Sequence, residues 1–133
     1  MLDGFEGEED SAESSEDVLT ACMQRVLKTR QIYTDVQSLR DEGMSAWEIW
    51  NQELGTDSCI LSGCSVETVL YYIDKGMPVL GMTGTGEAVL IVGYDAQNVV
   101  LWTPGQAGTR NMGRKDATAM FATAGNLYFT CLP

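Results

Sequence analysis

The sequence predicts an α+β domain in which N-terminal helices pack on a mostly antiparallel sheet. Up to Lys75, apolar residues recur every three or four positions, the spacing of amphipathic helices. After Gly76 the period changes, and short continuous apolar runs between turn residues indicate strands. Because the helices are grouped before the sheet, we expect them to lie on one side of it. The length of 133 residues fits one domain with a sizeable core.

The first helix is predicted over residues 17–30, where apolar residues fall on a single face. That face consists of Val18, Leu19, Cys22, Met23, Val26 and Leu27. A second helix is predicted after Thr34 and ends at Gly43, because glycine readily adopts the left-handed conformation that terminates helices.

Two further helices carry N-terminal signals in the sequence. Ser45 and Glu48 have the spacing of a capping box, and the helix that they open ends at Gly55. Ser65 is expected to cap a fourth helix over residues 66–75, which stops at the following glycine.

Four strands are predicted in the second half: Pro78–Met82, Ala88–Tyr94, Val99–Thr103 and Leu127–Cys131. The second of them is apolar almost throughout, so we expect both of its faces to be covered. Asp95–Asn98 supplies the turn that follows it. A glycine-rich loop, Pro104–Asn111, follows the third strand. Asp116 is expected to cap a last helix that ends near Ala124.

Most of the net charge of −11 lies at the N-terminus. Residues 1–17 hold eight acids and no base, whereas residues 18–133 hold eleven acids and eight bases, which leaves three net negative charges. We therefore expect residues 1–16 to be a disordered acidic tail or linker and residues 17–133 to form the domain. A linker to further polypeptide is the simpler interpretation. A tail that binds a basic partner is the alternative.

Composition excludes several classes of function. The chain has no basic patch with interleaved aromatics, so nucleic-acid binding is not expected. No apolar run approaches the roughly 20 residues that span a bilayer.

The cysteines are Cys22, Cys59, Cys64 and Cys131, without CxxC spacing and without any histidine in the chain, so we predict neither a metal nor a cofactor. Buried free thiols are the expected state. A disulfide between Cys59 and Cys64 in an oxidising compartment is the alternative.

The segment Gly76–Asp95 resembles the papain-like cysteine peptidases that process bacteriocin leaders. In that family a strand with Pro-Val is followed by a loop, then Gly-His-Ala-Val and an apolar strand that ends in Gly-Tyr-Asp. Here Pro78-Val, Glu87-Ala-Val and Gly93-Tyr-Asp stand at the corresponding places. The resemblance implies a papain-like fold over residues 17–132.

The resemblance also assigns positions to the family's catalytic groups. Its nucleophilic cysteine opens the first long helix, and Cys22 is the candidate in this chain. Glu87 takes the place of the histidine, and Thr103, before Pro104, takes the place of the orienting Asp or Asn. The oxyanion-hole glutamine expected just before the cysteine has no counterpart in residues 16–21.

These departures remove the usual mechanism. A thiol needs a base or a cationic neighbour to become a thiolate at neutral pH, and the family's imidazole supplies that base. A carboxylate at Glu87 beside Cys22 would instead oppose ionisation of the thiol. Thr103 has no imidazole to orient. The simpler interpretation of Cys22 is a core thiol on the apolar face of its helix.

The first functional hypothesis is therefore a non-catalytic peptidase-like domain that docks a peptide or protein. The resemblance implies that it is part of a larger bacterial protein, exported or membrane-associated through its parent, because degenerate members of the family act as docking domains beside transporters. Trp47 and Trp50 are the candidate residues of the cleft, with core packing as their other interpretation. A cysteine hydrolase or acyltransferase that uses Cys22 is a second hypothesis, and a structural spacer domain is a third.

Overall fold

A computed structural model describes residues 18–33, 35–84, 87–103 and 109–131. Its helices are α1 (Val18–Thr29), α2 (Val36–Asp41), α3 (Ala46–Leu54), α4 (Val66–Asp74) and α5 (Arg114–Thr123). Its strands are β1 (Ser58–Ser62), β2 (Val79–Gly84), β3 (Glu87–Tyr94), β4 (Asn98–Trp102), β5 (Arg110–Gly113) and β6 (Leu127–Cys131). The predicted acidic tail, residues 1–16, lies outside the described residues, as does most of the predicted loop Pro104–Asn111.

The strands form one six-stranded antiparallel sheet with the order β1-β6-β2-β3-β4-β5. Strand β3 lies inside this sheet and is buried from Ala88 to Gly93. Its alternate side chains enter two different apolar clusters: Leu90 packs with α1 and α3, whereas Ile91 packs with α4 and α5. The prediction that both faces of this strand are covered is confirmed.

Helices therefore lie on both faces of the sheet, with α1, α2 and α3 on one face and α4 and α5 on the other. The α+β fold class and the antiparallel sheet are as predicted, but the expectation that the helices lie on one side is wrong. The reason is the composition of the inner strands. A strand that is apolar on both faces needs a covering layer on each side.

The helix caps follow the sequence signals closely. The hydroxyl of Ser45 accepts the backbone N–H of Glu48 at 3.2 Å, which is the predicted capping box of α3. Ser65 accepts the N–H of Thr68 at the start of α4. Gly76 has a φ of 87°, the left-handed conformation predicted for the end of that helix.

Three local features differ from the sequence prediction. Strands β1 and β5 were not expected, because Ser58–Ser62 and Arg110–Gly113 are short and show no clear alternation of polar and apolar residues. Helix α5 begins at Arg114 with Gly113 at its cap position, so Asp116 lies in the first turn and does not cap the helix. A carboxylate in that turn still interacts favourably with the helix dipole.

Within the described residues, no helix is long and apolar enough to cross a bilayer.

Gly81 of β2 is in close contact with Phe121 of α5. A Cβ atom at Gly81 would lie 2.9 Å from Cδ1 of the Phe121 ring and closer still to Cε1. The ring is fully buried and stacks on Tyr128 of β6 with 5.5 Å between centroids. Because the ring is held on all sides, the glycine sets how closely α5 approaches the sheet.

We therefore expect Gly81→Ala to lower the free energy of unfolding by about 1–3 kcal/mol, because the added methyl group overfills a packed core. Chemical denaturation of the purified chain measures this change. Gly113→Ala is the control, since a Cβ there meets nothing nearer than Asp116 Oδ2 at 3.7 Å, and its only expected cost is that of alanine at the cap of α5, under about 1 kcal/mol. A loss at Gly81→Ala no larger than that at Gly113→Ala would contradict this account of the packing between α5 and the sheet.

Candidate functional site

Helix α1 brings Cys22 against the first residues of β3. The side chain of Cys22 has no exposed surface, and its Sγ donates to the backbone carbonyl of Ala88 at 3.7 Å. Ala88 directly follows Glu87, the residue at the histidine position of the resemblance. Helix α1, which carries the predicted nucleophile, thus contacts β3, which carries Glu87. The contact is made by the backbone oxygen of Ala88 and not by the side chain of Glu87.

Cys22 lies in α1, about one turn after Val18, the first described residue of the helix. It packs with Met23 and Val26 in the core between α1 and the sheet.

Glu87 is the first residue of β3, and its side chain is exposed. Ala88 packs toward α1, and side chains alternate along a strand, so the preceding position is directed to the other face. In the described part of the chain, no hydrogen bond or ion pair joins Glu87 to Cys22.

Thr103 follows the last residue of β4 and is half-buried. Leu90 pairs with Trp102, so Thr103 comes at the level of Val89, two residues from Glu87 along β3. Its Oγ1 is buried and has no hydrogen-bond partner among the described residues. Thr103 is therefore near the position that the resemblance gives it, but it contacts neither of the other two predicted groups through a hydrogen bond.

The two tryptophans of α3 have different environments. Trp50 has no exposed surface, and its Nε1 donates to the carbonyl oxygen of Thr130 at 2.9 Å. Trp47 is 45% exposed and packs edge-on against Phe129, with 5.3 Å between ring centroids. Trp50 is therefore a core residue, as in the alternative interpretation. Of the two, only Trp47 is exposed to solvent.

None of the four cysteines forms a disulfide bond. Cys59 of β1 lies 3.3 Å from the hydroxyl of Tyr72, and this contact is the main cause that raises the pKa of Tyr72 to about 12. Burial raises the pKa of Cys64 and of Cys131. The described residues contain no group of three potential metal ligands. The Cys59–Tyr72 contact was missed from the sequence because it depends on β1, which was not predicted.

Comparison with known proteins supports the fold. No protein-family model matches the sequence, and no curated protein matches it. The structure is similar to a crystal structure of a candidate C39-like peptidase from Bacillus anthracis, with a TM-score of 0.79 and 13% sequence identity. The similarity covers 96% of this chain and 94% of that chain. The chain therefore has a C39-like, papain-like fold, as the resemblance implied, and this similarity carries no statement about activity.

The burial of Cys22 predicts its reactivity. With iodoacetamide at pH 8, we expect Cys59 and Cys64 to be alkylated first, because their side chains are only half-buried, and Cys22 to react only on the timescale of unfolding. Mass spectrometry of tryptic peptides measures the rate at each site. Labelling of Cys64 should accelerate above pH 8, since a raised pKa leaves little thiolate at lower pH.

Cys131 is the matched control in the same experiment, because it is equally buried and has no predicted catalytic role. The two buried thiols should be protected to the same extent. Alkylation of Cys22 much faster than that of Cys131 in the folded chain would contradict the assignment of Cys22 to the core.

Proposed function

We propose that this chain is a non-catalytic domain with a C39-like peptidase fold and that it docks a peptide or protein partner. The observation that carries the proposal is the complete burial of Cys22, whose thiol donates to Ala88 inside the core. A nucleophile must reach the carbonyl carbon that it attacks, at about 3–3.5 Å in a productive complex. A thiol with no exposed surface does not meet that requirement without rearrangement of α1.

The absence of a base supports the same proposal. The full sequence contains no histidine, so no imidazole is available to take the thiol proton and return it to a leaving group. Glu87 is exposed, and among the described residues no hydrogen bond joins it to the Cys22 thiol, as a general base would require. Thr103, at the place of the orienting residue, has no imidazole to orient. The positions of the base and of its orienting group thus both lack the residue type of their family role.

A docking role is favoured over a purely structural one by an exposed aromatic residue. Of the three tryptophans, Trp50 and Trp102 are buried, whereas Trp47 keeps nearly half of its surface in contact with solvent. Its ring is held in place by Phe129. A rigid, partly exposed tryptophan supplies a large contact area at low entropic cost, and such residues are enriched where proteins bind partners.

Selection from a displayed library of random 12-residue peptides tests the proposal. We expect peptides that bind the complete chain and change its tryptophan fluorescence, and Trp47→Phe should remove that change. Because tryptophan contacts often dominate binding energy, Trp47→Ala should weaken the selected peptides at least tenfold, about 1.4 kcal/mol. Tyr33→Ala is the control, since Tyr33 is 72% exposed but lies outside α3, and it should leave affinity unchanged.

Two results would overturn the proposal. The first is a library from which no peptide binds, which would favour a spacer domain. The second is cleavage of a bound peptide that Cys22→Ala abolishes, which would establish a cysteine hydrolase.

A further inference from the structure

Strand β1 forms one end of the sheet and has a free edge in the described part of the chain. All five of its residues pair with β6 in continuous register, from Ser58 opposite Cys131 to Ser62 opposite Leu127. In an antiparallel strand, alternate backbone N–H and C=O groups point away from the paired neighbour. These groups of β1 are therefore directed to the side where the described sheet ends.

This edge lacks the features that usually block the addition of another strand. Such features are charged side chains, prolines and bulges on the edge strand. The sequence of β1 is Ser-Cys-Ile-Leu-Ser, and its pairing with β6 shows no irregularity. The opposite end of the sheet differs, because β5 begins with an exposed arginine, Arg110. Of the two end strands in the described sheet, β1 thus offers the uncharged, regular edge of five residues.

Aromatic residues lie on both sides of β1. On the face covered by α3, Trp47 packs on Phe129, which is the direct cross-strand partner of Ile60. On the face covered by α4, the hydroxyl of Tyr72 contacts Cys59. Tyr71, which is 54% exposed, packs edge-on against Tyr72 with 5.2 Å between centroids. Side chains of an added strand would alternate between these two aromatic surfaces.

The elements around β1 are acidic. On the side of α3, Glu48 and Glu53 of the helix and Asp57, which directly precedes β1, are acidic. The two acids of α4 lie elsewhere, because Asp74 accepts from Tyr94 of β3 and Glu67 is near α5. Arg30 pairs with Asp57 at 2.9 Å and Arg114 approaches Glu67 at 4.0 Å, and both come from other elements. Three acids against Arg30 leave the α3 side of the edge net negative, whereas on the α4 side Lys75 lies over the Tyr71 ring, 5.5 Å from its centroid.

We propose that the free edge of β1 binds an extended, positively charged peptide segment by β-strand addition. This inference rests on the proposed docking function and names its ligand class and its binding mode. Backbone hydrogen bonds to Ser58–Ser62 supply affinity, the aromatic surfaces contact alternate side chains, and the acids favour lysine or arginine in the ligand. A second copy of this chain is a poor occupant, because its edge carries the same negative surroundings.

Three acetylated and amidated peptides of equal length test the binding mode. The first, Lys-Val-Thr-Val-Thr-Val-Lys, should bind with a saturable change in the tryptophan fluorescence of the chain. The second, Glu-Val-Thr-Val-Thr-Val-Glu, should bind at least tenfold more weakly because its charge is reversed. The third, Lys-Val-Thr-Pro-Thr-Val-Lys, keeps the charge but loses a backbone donor and strand geometry, so it should not bind detectably.

Variants of the complete chain locate the site. Ser62→Lys places a positive charge on the exposed end of β1 and should weaken the first peptide at least tenfold. Ala122→Lys adds the same charge on an exposed position of α5 and should change affinity less than twofold. Circular dichroism of both variants should match the parent, because both positions are exposed.

The outcomes separate this inference from the proposed function. If library peptides bind but the proline peptide binds as well as its parent, or Ser62→Lys has no more effect than Ala122→Lys, strand addition at β1 is overturned and docking stands. If no peptide of any kind binds, both are overturned. A dimer that Ser62→Lys dissociates would show a second copy on this edge and would overturn the choice of a basic peptide.

Discussion

The burial of β3 on both faces is the constraint on which the rest of the fold depends. Six consecutive residues, from Ala88 to Gly93, have almost no contact with solvent. Each large apolar side chain removed from water contributes about 1.5–3 kcal/mol, so both faces must be covered for the strand to be stable. Helix α1 covers one face and α4 covers the other, and the remaining strands extend the sheet from this centre.

The same constraint determines the environment of Cys22. Helix α1 can cover β3 only if the side chains between them are small or apolar, and a thiol is both. Its hydrogen bond to Ala88 satisfies a carbonyl group that faces the helix. Packing that suits the core therefore leaves the sulfur of Cys22 without exposed surface. The sequence resemblance over Gly76–Asp95 includes β3, the strand against which this helix packs.

Much of the fold could be predicted from the sequence because its signals are local. The capping serines Ser45 and Ser65, the change of period after Gly76 and the apolar strand β3 each depend on neighbouring residues. Strand β1 could not be predicted, since its five residues become a strand only by pairing with β6 some 70 residues later in the chain. The apolar sequence of β3 already implied helices on both faces of the sheet. The order of elements along the chain instead suggested that all helices lie on one face.

The candidate site was predictable only in part, for a geometric reason. Sequence positions identify which residue types stand at Cys22, Glu87 and Thr103, but not the depth at which each side chain lies. Trp47 and Trp50 are three residues apart on one helix, and the burial of one and exposure of the other follow from the position of β6 beneath α3. How deeply a side chain is buried depends on how the helices pack on the sheet, which the order of residues alone does not specify.

The proposed loss of catalysis and the proposed binding edge are physically compatible, because they concern different parts of the sheet. The predicted catalytic positions are next to β3 and β4, whereas the free edge of the described sheet is that of β1. The aromatic side chains beside that edge already pack against neighbours, Trp47 on Phe129 and Tyr72 on Cys59, which lowers the entropic cost of ordering them in a complex. In the proposed binding mode, backbone hydrogen bonds accept many sequences, and selectivity depends on the aromatic contacts and on charge. A domain that does not use a nucleophile, as we propose for this chain, could in this way still discriminate among extended peptides.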